Sequence, residues 1–231
     1  RYHCVAVDLL GFGDSDKPAE ADYGIEAQGR RLLQVADALG LGEFGLAGHS
    51  MGGQIALCVG SMLARERVTC LVSVAGVVAA RLTPRVERQV YRQAALCRAV
   101  PCLYSLSRWL SRFRWFAYSV FGSWFYQMDA VPFDAWEVDR RMALRPELGV
   151  PAYESGRAIH SLDLTPHLDR ISAPTLALFG RQDGTVPVSD GHLVDRSVPD
   201  SRLVLFDRCG HFPMYEQTPD YLSALRAFLA G

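Results

Sequence analysis

No apolar run in this sequence reaches the roughly twenty residues that a membrane-spanning helix needs. Acid and base almost cancel, at a net charge of −1, and lysine and arginine form no dense run. Nothing in that balance asks for a nucleic-acid partner. The cysteines, Cys4, Cys58, Cys70, Cys97, Cys102 and Cys209, contain no C-x-x-C pair and no zinc spacing. Cys58 and Cys70 sit among apolar neighbours and read as small core side chains, so a reducing compartment, the cytoplasm, is expected. No grouping of His, Cys, Asp and Glu has metal-ligand spacing, and no cofactor is implied. Internal repeats and low-complexity tracts are missing too. Arg1 stands where a methionine would open a complete chain, so any targeting segment would lie upstream. What remains is an ordinary globular composition, 49% hydrophobic and 21% charged over 231 residues. It excludes disorder and a disulfide-stapled miniature, and suits one domain or one core with an insertion.

Strand and helix patterns alternate along the chain. Tyr2 to Val7 is β-rich and ends in a Gly/Asp/Pro loop, Asp8 to Pro18. Arg30 to Leu39 carries apolar residues at helical spacing and is closed by Gly40 and Gly42. A short strand, Phe44 to Ala47, a helical run, Gln54 to Ala64, and a third strand, Val68 to Ala75, follow. This order predicts an α/β protein with a mostly parallel β-sheet flanked by helices. The alternation then stops. From about Val77 to Leu168 the sequence is rich in Arg, Trp, Phe and Tyr and helical in pattern. It resumes with a strand over Pro174–Phe179, a helix over Val188–Arg196, a strand over Arg202–Phe206 and a helix over Tyr221–Leu229. The expected division is a core over 1–76 and 172–231, interrupted by a helical insertion over 77–171, far more than a loop holds.

Gly48-His49-Ser50-Met51-Gly52 matches G-x-S-x-G, after a strand and at the opening of a helix. A serine there sits on a tight turn that pushes its hydroxyl out of the sheet. Such a turn brings the residues two before and two after close together, so glycine at both removes clashing Cβ atoms. The helix start points backbone N–H groups, that of Met51 included, at developing negative charge. Ser50 is therefore the candidate nucleophile and Met51 N–H the candidate oxyanion donor. Of six histidines, His211 follows the last strand through Asp207-Arg208-Cys209-Gly210, at the carboxyl edge where Ser50 also emerges. It is the candidate base. His49 reads as a packing residue, His3, His167 and His192 as surface residues, and His160 as a packed helix residue or a pocket lining. An imidazole that takes the serine proton needs an acceptor on its other nitrogen, and Asp183 follows the Thr175–Phe179 strand at the same edge. The plainer reading of Asp183 is a turn aspartate bonded to its own backbone. Asp190, the next acid, falls in a helix.

Together, Gly48-His49-Ser50-Met51-Gly52-Gly53, the loop Asp8 to Ser15, Gly180-Arg181-Gln182-Asp183 and Gly210-His211-Phe212 resemble the α/β-hydrolase superfamily. The resemblance runs through Arg1 to Ala75 and from about Ser172 to Gly231, in the order Ser50, Asp183, His211 that this fold uses. It implies a serine hydrolase with a helical cap, with Ser50, Asp183 and His211 as its triad and no metal or cofactor. The subgroup holds carboxylesterases, lipases, C–C bond hydrolases of ring-fission products, perhydrolases and a few receptors. An ester or related acyl bond is the expectation. C–C or peracid chemistry on the same triad, a non-catalytic ligand receptor and an inactive fragment stay open, as does oligomeric state.

The family begins with strands, and with a His-Gly loop supplying a second oxyanion donor, that would precede Arg1. A third strand should lie between Tyr2–Val7 and Phe44–Ala47. The chain is therefore expected to be a fragment of a longer protein. Gly11-Phe12-Gly13 hints at a dinucleotide loop, but Asp16 stands where the third glycine belongs. Between Arg98 and Phe125, Arg108, Arg112 and Arg114 interleave with Trp109, Phe113, Trp115, Phe116, Tyr118, Phe121, Trp124 and Phe125. Each aromatic singly reads as helix-to-core packing. As a set they predict a small apolar acyl substrate, with arginines near a lipid surface or an acidic group.

Overall fold

The computed structural model describes residues 2–88, 100–110, 149–230 and, between 111 and 148, residues 112, 113, 115, 116, 124–130, 132, 134, 137, 138, 141, 142 and 145. Within the aromatic stretch, Arg98, Arg114, Tyr118 and Phe121 lie outside the described residues.

Four strands form one parallel sheet in the order β1 (Phe44–His49), β2 (Val68–Val74), β3 (Thr175–Gly180) and β4 (Ser201–Phe206). β3 is buried along its whole length, which explains its unbroken apolar text, Leu176-Ala177-Leu178-Phe179. Alternate residues feed two cores, one on each face. Leu71, Ala177 and Phe179 pack with Ile55, Leu57, Val59 and Val194, from α2 (Met51–Cys58), the turn after it, and α5 (Val188–Ser197). Val72, Val74, Leu176 and Leu178 pack with Tyr221, Leu225 and Phe228 of α7 (Thr218–Ala230). α1 (Ile25–Ala38) joins the first core through Ile25.

Two expectations are corrected. Tyr2 to Val7 forms no strand; residues 2–7 are exposed, and Tyr2 instead donates a hydrogen bond to Leu229 O. A strand exists only through pairing, and among the described residues none pairs with the outer side of β1. The helical run expected to reach Ala64 gives way after Cys58 to a π-turn, Val59–Leu63, closed by Ala64 N–H to Val59 O at 3.0 Å.

Between β2 and β3 the described elements are helical: α3 (Pro101–Leu110), α4 (Gly149–Ile159) and short 3₁₀ turns. The ends of this stretch are tied together by Leu164 N–H to Val78 O at 2.9 Å. Among the described residues no helix is long and apolar enough to cross a membrane. Because all four strands run parallel, the loops after β1, β3 and β4 open at one edge, and they carry Ser50, Asp183 and His211.

Candidate active site

Ser50 occupies a strained position between β1 and α2, at φ 55° and ψ −117°. A non-glycine residue holds such a conformation only where its surroundings enforce it. Here they do: Ser50 N–H donates to Val74 O at 2.9 Å, and Val77 N–H donates to Ser50 O at 3.4 Å. A Cβ on Gly48 would lie 2.1 Å from Gly52 O, and one on Gly53 would lie 2.7 Å from Gly76 Cα. A Cβ on Gly52 would meet nothing within 4 Å. The motif's second glycine is therefore not the one the turn needs for space; Gly53, one residue beyond it, is. Gln54 N–H makes the first bond inside the helix, to Ser50 O at 3.1 Å, leaving Met51 N–H outside the helical ladder.

Asp183 and His211 are brought together. His211 Nδ1 lies 2.8 Å from Asp183 Oδ2, with both side chains buried. A carboxylate only accepts, so Nδ1 carries the proton and Nε2 is left with its lone pair. Asp183 Oδ1 accepts the N–H groups of Thr185 at 2.7 Å and Val186 at 3.0 Å. The turn role and the partner role of this aspartate thus coexist on its two oxygens. Asp190 does other work: fully buried, its Oδ2 accepts Val78 N–H at 2.8 Å and Ala79 N–H at 3.2 Å, and burial raises its pKa.

The loops bearing Asp183 and His211 are laced to each other. Gln182 N–H donates to Cys209 O at 3.0 Å, and Cys209 N–H donates to Gln182 Oε1 at 3.0 Å. The approach is so close that a Cβ on Gly180 would lie 2.1 Å from Gly210 O. Glu216, buried in α6 (Pro213–Glu216), accepts Gly210 N–H on Oε1 at 3.0 Å, and Tyr126 and Gln127 N–H on Oε2, each at 2.7 Å. His211 N–H donates to Trp124 O at 2.8 Å. One carboxylate therefore joins the His211 loop to the stretch between β2 and β3. The sequence reading missed Glu216; its signal was a lone acid in the apolar Phe212-Pro213-Met214-Tyr215 text.

His49 also does more than pack. Its Nε2 donates to His211 O at 2.8 Å, and its ring centroid lies 4.5 Å from that of His211 and 4.7 Å from that of Phe212. Desolvation, with the nearby His211 as a second cause, pushes its pKa down to about 3, so it is neutral at ordinary pH. Through His49 the Ser50 segment and the His211 loop are in direct contact. Among the other histidines, His160 Nδ1 donates to Ala80 O at 3.0 Å, while His3 and His192 are exposed. Phe212 stacks on Phe125 at 4.6 Å and Trp124 at 6.3 Å, giving the site an aromatic wall. Burial raises the Cys58 and Cys209 thiols to about 12, keeping both unreactive. Among the described residues no His, Cys, Asp and Glu group is gathered to hold a metal ion.

The model of the alpha/beta hydrolase family matches residues 1–225. The chain belongs to that family. Lipase 3 of Moraxella sp. (strain TA144) is 25% identical to this hydrolase over 233 residues, covering 100% of this chain and 70% of that protein. A 2-hydroxy-6-oxononadienedioate/2-hydroxy-6-oxononatrienedioate hydrolase of Cupriavidus pinatubonensis (strain JMP 134 / LMG 1197) is 28% identical over 235 residues, covering 100% and 77%. The crystal structure of a membrane phospholipase A, described as a novel bacterial virulence factor, superposes with a TM-score of 0.75 at 28% identity, covering 100% of this chain and 71% of that one. The sheet, its flanking helices and the helical stretch before β3 are thus those of an α/β-hydrolase enzyme.

Proposed function

We propose that this hydrolase cleaves a carboxylic ester or related acyl bond of a small apolar substrate through an acyl-enzyme on Ser50. The observation that carries the reading is the buried 2.8 Å bond between His211 Nδ1 and Asp183 Oδ2, on a loop that touches the Ser50 segment through His49. With Nδ1 protonated, His211 Nε2 takes the proton from Ser50 as its oxygen attacks the carbonyl carbon. The electron pair displaced from the carbonyl goes to its oxygen, where Met51 N–H donates a hydrogen bond. His211 then passes the proton to the departing alcohol. Water, deprotonated by the same imidazole, attacks the acyl-enzyme and releases the acid and free Ser50.

Residues 77–171 serve as the cap in this reading, over a core of 1–76 and 172–231. The aromatic wall of Phe125 and Phe212 supports an apolar acyl group, as does the name of the lipase relative. A second reading, C–C bond hydrolysis on the same three residues, is favoured by the likeness to the 2-hydroxy-6-oxononadienedioate hydrolase.

The test is fluorophosphonate labelling of the wild type beside Ser50→Ala, then p-nitrophenyl esters of increasing acyl length beside a 2-hydroxy-6-oxo-dienoate substrate. Expected are labelling of the wild type alone and faster hydrolysis of medium-chain esters than of acetate. Labelling that survives the alanine change sinks Ser50 as nucleophile. Rapid turnover of the dienoate with idle esters moves the reading to C–C cleavage, and labelling without turnover of either leaves a receptor.

A further inference from the structure

Helix α3 presents an apolar stripe to solvent. Cys102, Leu106 and Trp109 follow one another at steps of four and three, the spacing of one helical face, and Phe113 stands in the turn just after the helix. Leu106 is 48% exposed, Trp109 50%, Phe113 43% and Trp115 65%, and Cys102 is exposed too. The rings rest on one another: Trp109 meets Phe113 edge-on at 5.2 Å, Phe113 stacks on Trp115 at 6.4 Å, and Trp115 meets Phe116 at 5.8 Å. Core packing, expected for each aromatic singly, fails for these residues. An amphipathic helix normally turns its apolar face inward, and a contiguous outward patch marks a contact surface.

Charge identifies what the surface meets. From Arg88 to Met128 the sequence holds Arg88, Arg92, Arg98, Arg108, Arg112 and Arg114, and no Asp, Glu or Lys. At net −1 for the whole chain, the remainder is acidic, so positive charge is segregated onto the stretch that bears the aromatic patch. Arg112 is exposed beside Phe113. Docking of two identical copies through this patch would set arginine against arginine, with no acid in the stretch to pair it. An anionic bilayer offers phosphates to the arginines and an interfacial layer that favours tryptophan.

We propose that this face rests on an anionic lipid surface, with Leu106, Trp109, Phe113 and Trp115 entering the headgroup layer and Arg112 meeting phosphates. The contact is peripheral and independent of the chemistry at Ser50.

The test is co-sedimentation of the full chain, carried in a Ser50→Ala background so that lipid turnover plays no part. One set of vesicles is phosphatidylcholine alone, and the other equal parts phosphatidylcholine and phosphatidylglycerol. Binding to the anionic vesicles is expected to be at least about tenfold tighter, since each arginine near such a surface strengthens binding about fivefold. Arg112→Gln should weaken it about fivefold, and Trp109→Ser with Trp115→Ser should abolish it while the variant still melts cooperatively, since half or more of each ring is exposed. Equal binding to the two vesicle types overturns the proposal. So does a double variant that binds as tightly as its parent, or a concentration-dependent dimer that the double variant loses.

Discussion

The Ser50 elbow and the His211 loop open at the same edge of the sheet, and they are held there by opposite means. The elbow is held by space and by backbone groups: Gly48 lets the chain pass against Gly52, while Val74 O and Val77 N–H fix Ser50 at positive φ. The His211 loop is held by side chains from elsewhere in the sequence. Asp183 takes the imidazole, Gln182 takes Cys209 N–H, and Glu216 takes Gly210 N–H while reaching across to Tyr126 and Gln127. A turn held by backbone contacts tolerates almost no added atom. A polar network is distributed, and each member matters through the groups it leaves unsatisfied.

The largest expected loss lies on the polar side. In Asp183→Asn the amide oxygen can keep the Thr185 and Val186 N–H groups, which puts an NH₂ opposite His211 Nδ1. The imidazole must then carry its proton on the wrong nitrogen, and kcat for ester hydrolysis should fall about ten-thousandfold with KM little changed. A loss below tenfold would break the account of the acid. On the steric side, Gly48→Ala drives a Cβ to 2.1 Å from Gly52 O. Urea unfolding should show a loss of about 4 kcal/mol or more, or no folded protein at all. Gly52→Ala, next to it in the same motif, meets nothing within 4 Å. It should fold normally and gain up to about 1 kcal/mol as a helical alanine. Equal costs for the two would end the spatial explanation of the elbow.

A smaller effect is expected at Glu216. Glutamine there replaces one of two accepting oxygens with a donor that faces backbone N–H groups, at roughly 2–4 kcal/mol of stability. Because the lost bonds lie beside His211, kcat should also fall at temperatures where Glu216→Gln is still folded. If only the melting temperature moves, the bridge is structural and does not position the base.

The same contrast explains what could be read in advance. β2, β3 and β4 were legible because an unbroken or alternating apolar run shows in the text, and their parallel order followed from the helices between them. The tight turn at Ser50 was legible because a strand-to-helix turn with no room for Cβ atoms leaves glycines in fixed places, although Gly53, not Gly52, turned out to be the second tight position. Tyr2 to Val7 misled, since β-propensity describes a residue's fitness for a sheet but cannot supply the neighbour that makes a strand. Glu216 left only the trace of a lone acid in apolar text, and the role of His49 left none, because the groups they satisfy are backbone atoms, which every sequence carries equally and no residue name marks. The aromatic stretch was read only as an average: Trp124 and Phe125 stand against Phe212, while Trp109 and Trp115 face out.

The finest probe of the join between the two regions is the pH dependence of His49, whose pKa falls from 6.5 to about 3 in the folded protein. Above pH 6.5 the imidazole is neutral whether the chain is folded or not, and it adds no pH dependence. As pH drops below that value, the unfolded chain gains a proton at His49 that the folded protein refuses, so folding stability declines. The slope from this one group is at most about 1.4 kcal/mol per pH unit and should persist toward pH 3, where the folded state takes the proton as well. Urea unfolding of the wild type and His49→Asn at a series of pH values between 7 and 4.5 isolates the term, because titrating carboxylates contribute to both proteins alike. Asparagine keeps an N–H donor for His211 O but cannot titrate, so the variant should lose stability less steeply as the solution is acidified. Parallel curves would mean that folded His49 takes the proton on Nδ1 freely, which a desolvated ring beside His211 should not do; its hydrogen bond to His211 O favours the charged ring and only partly offsets those two causes.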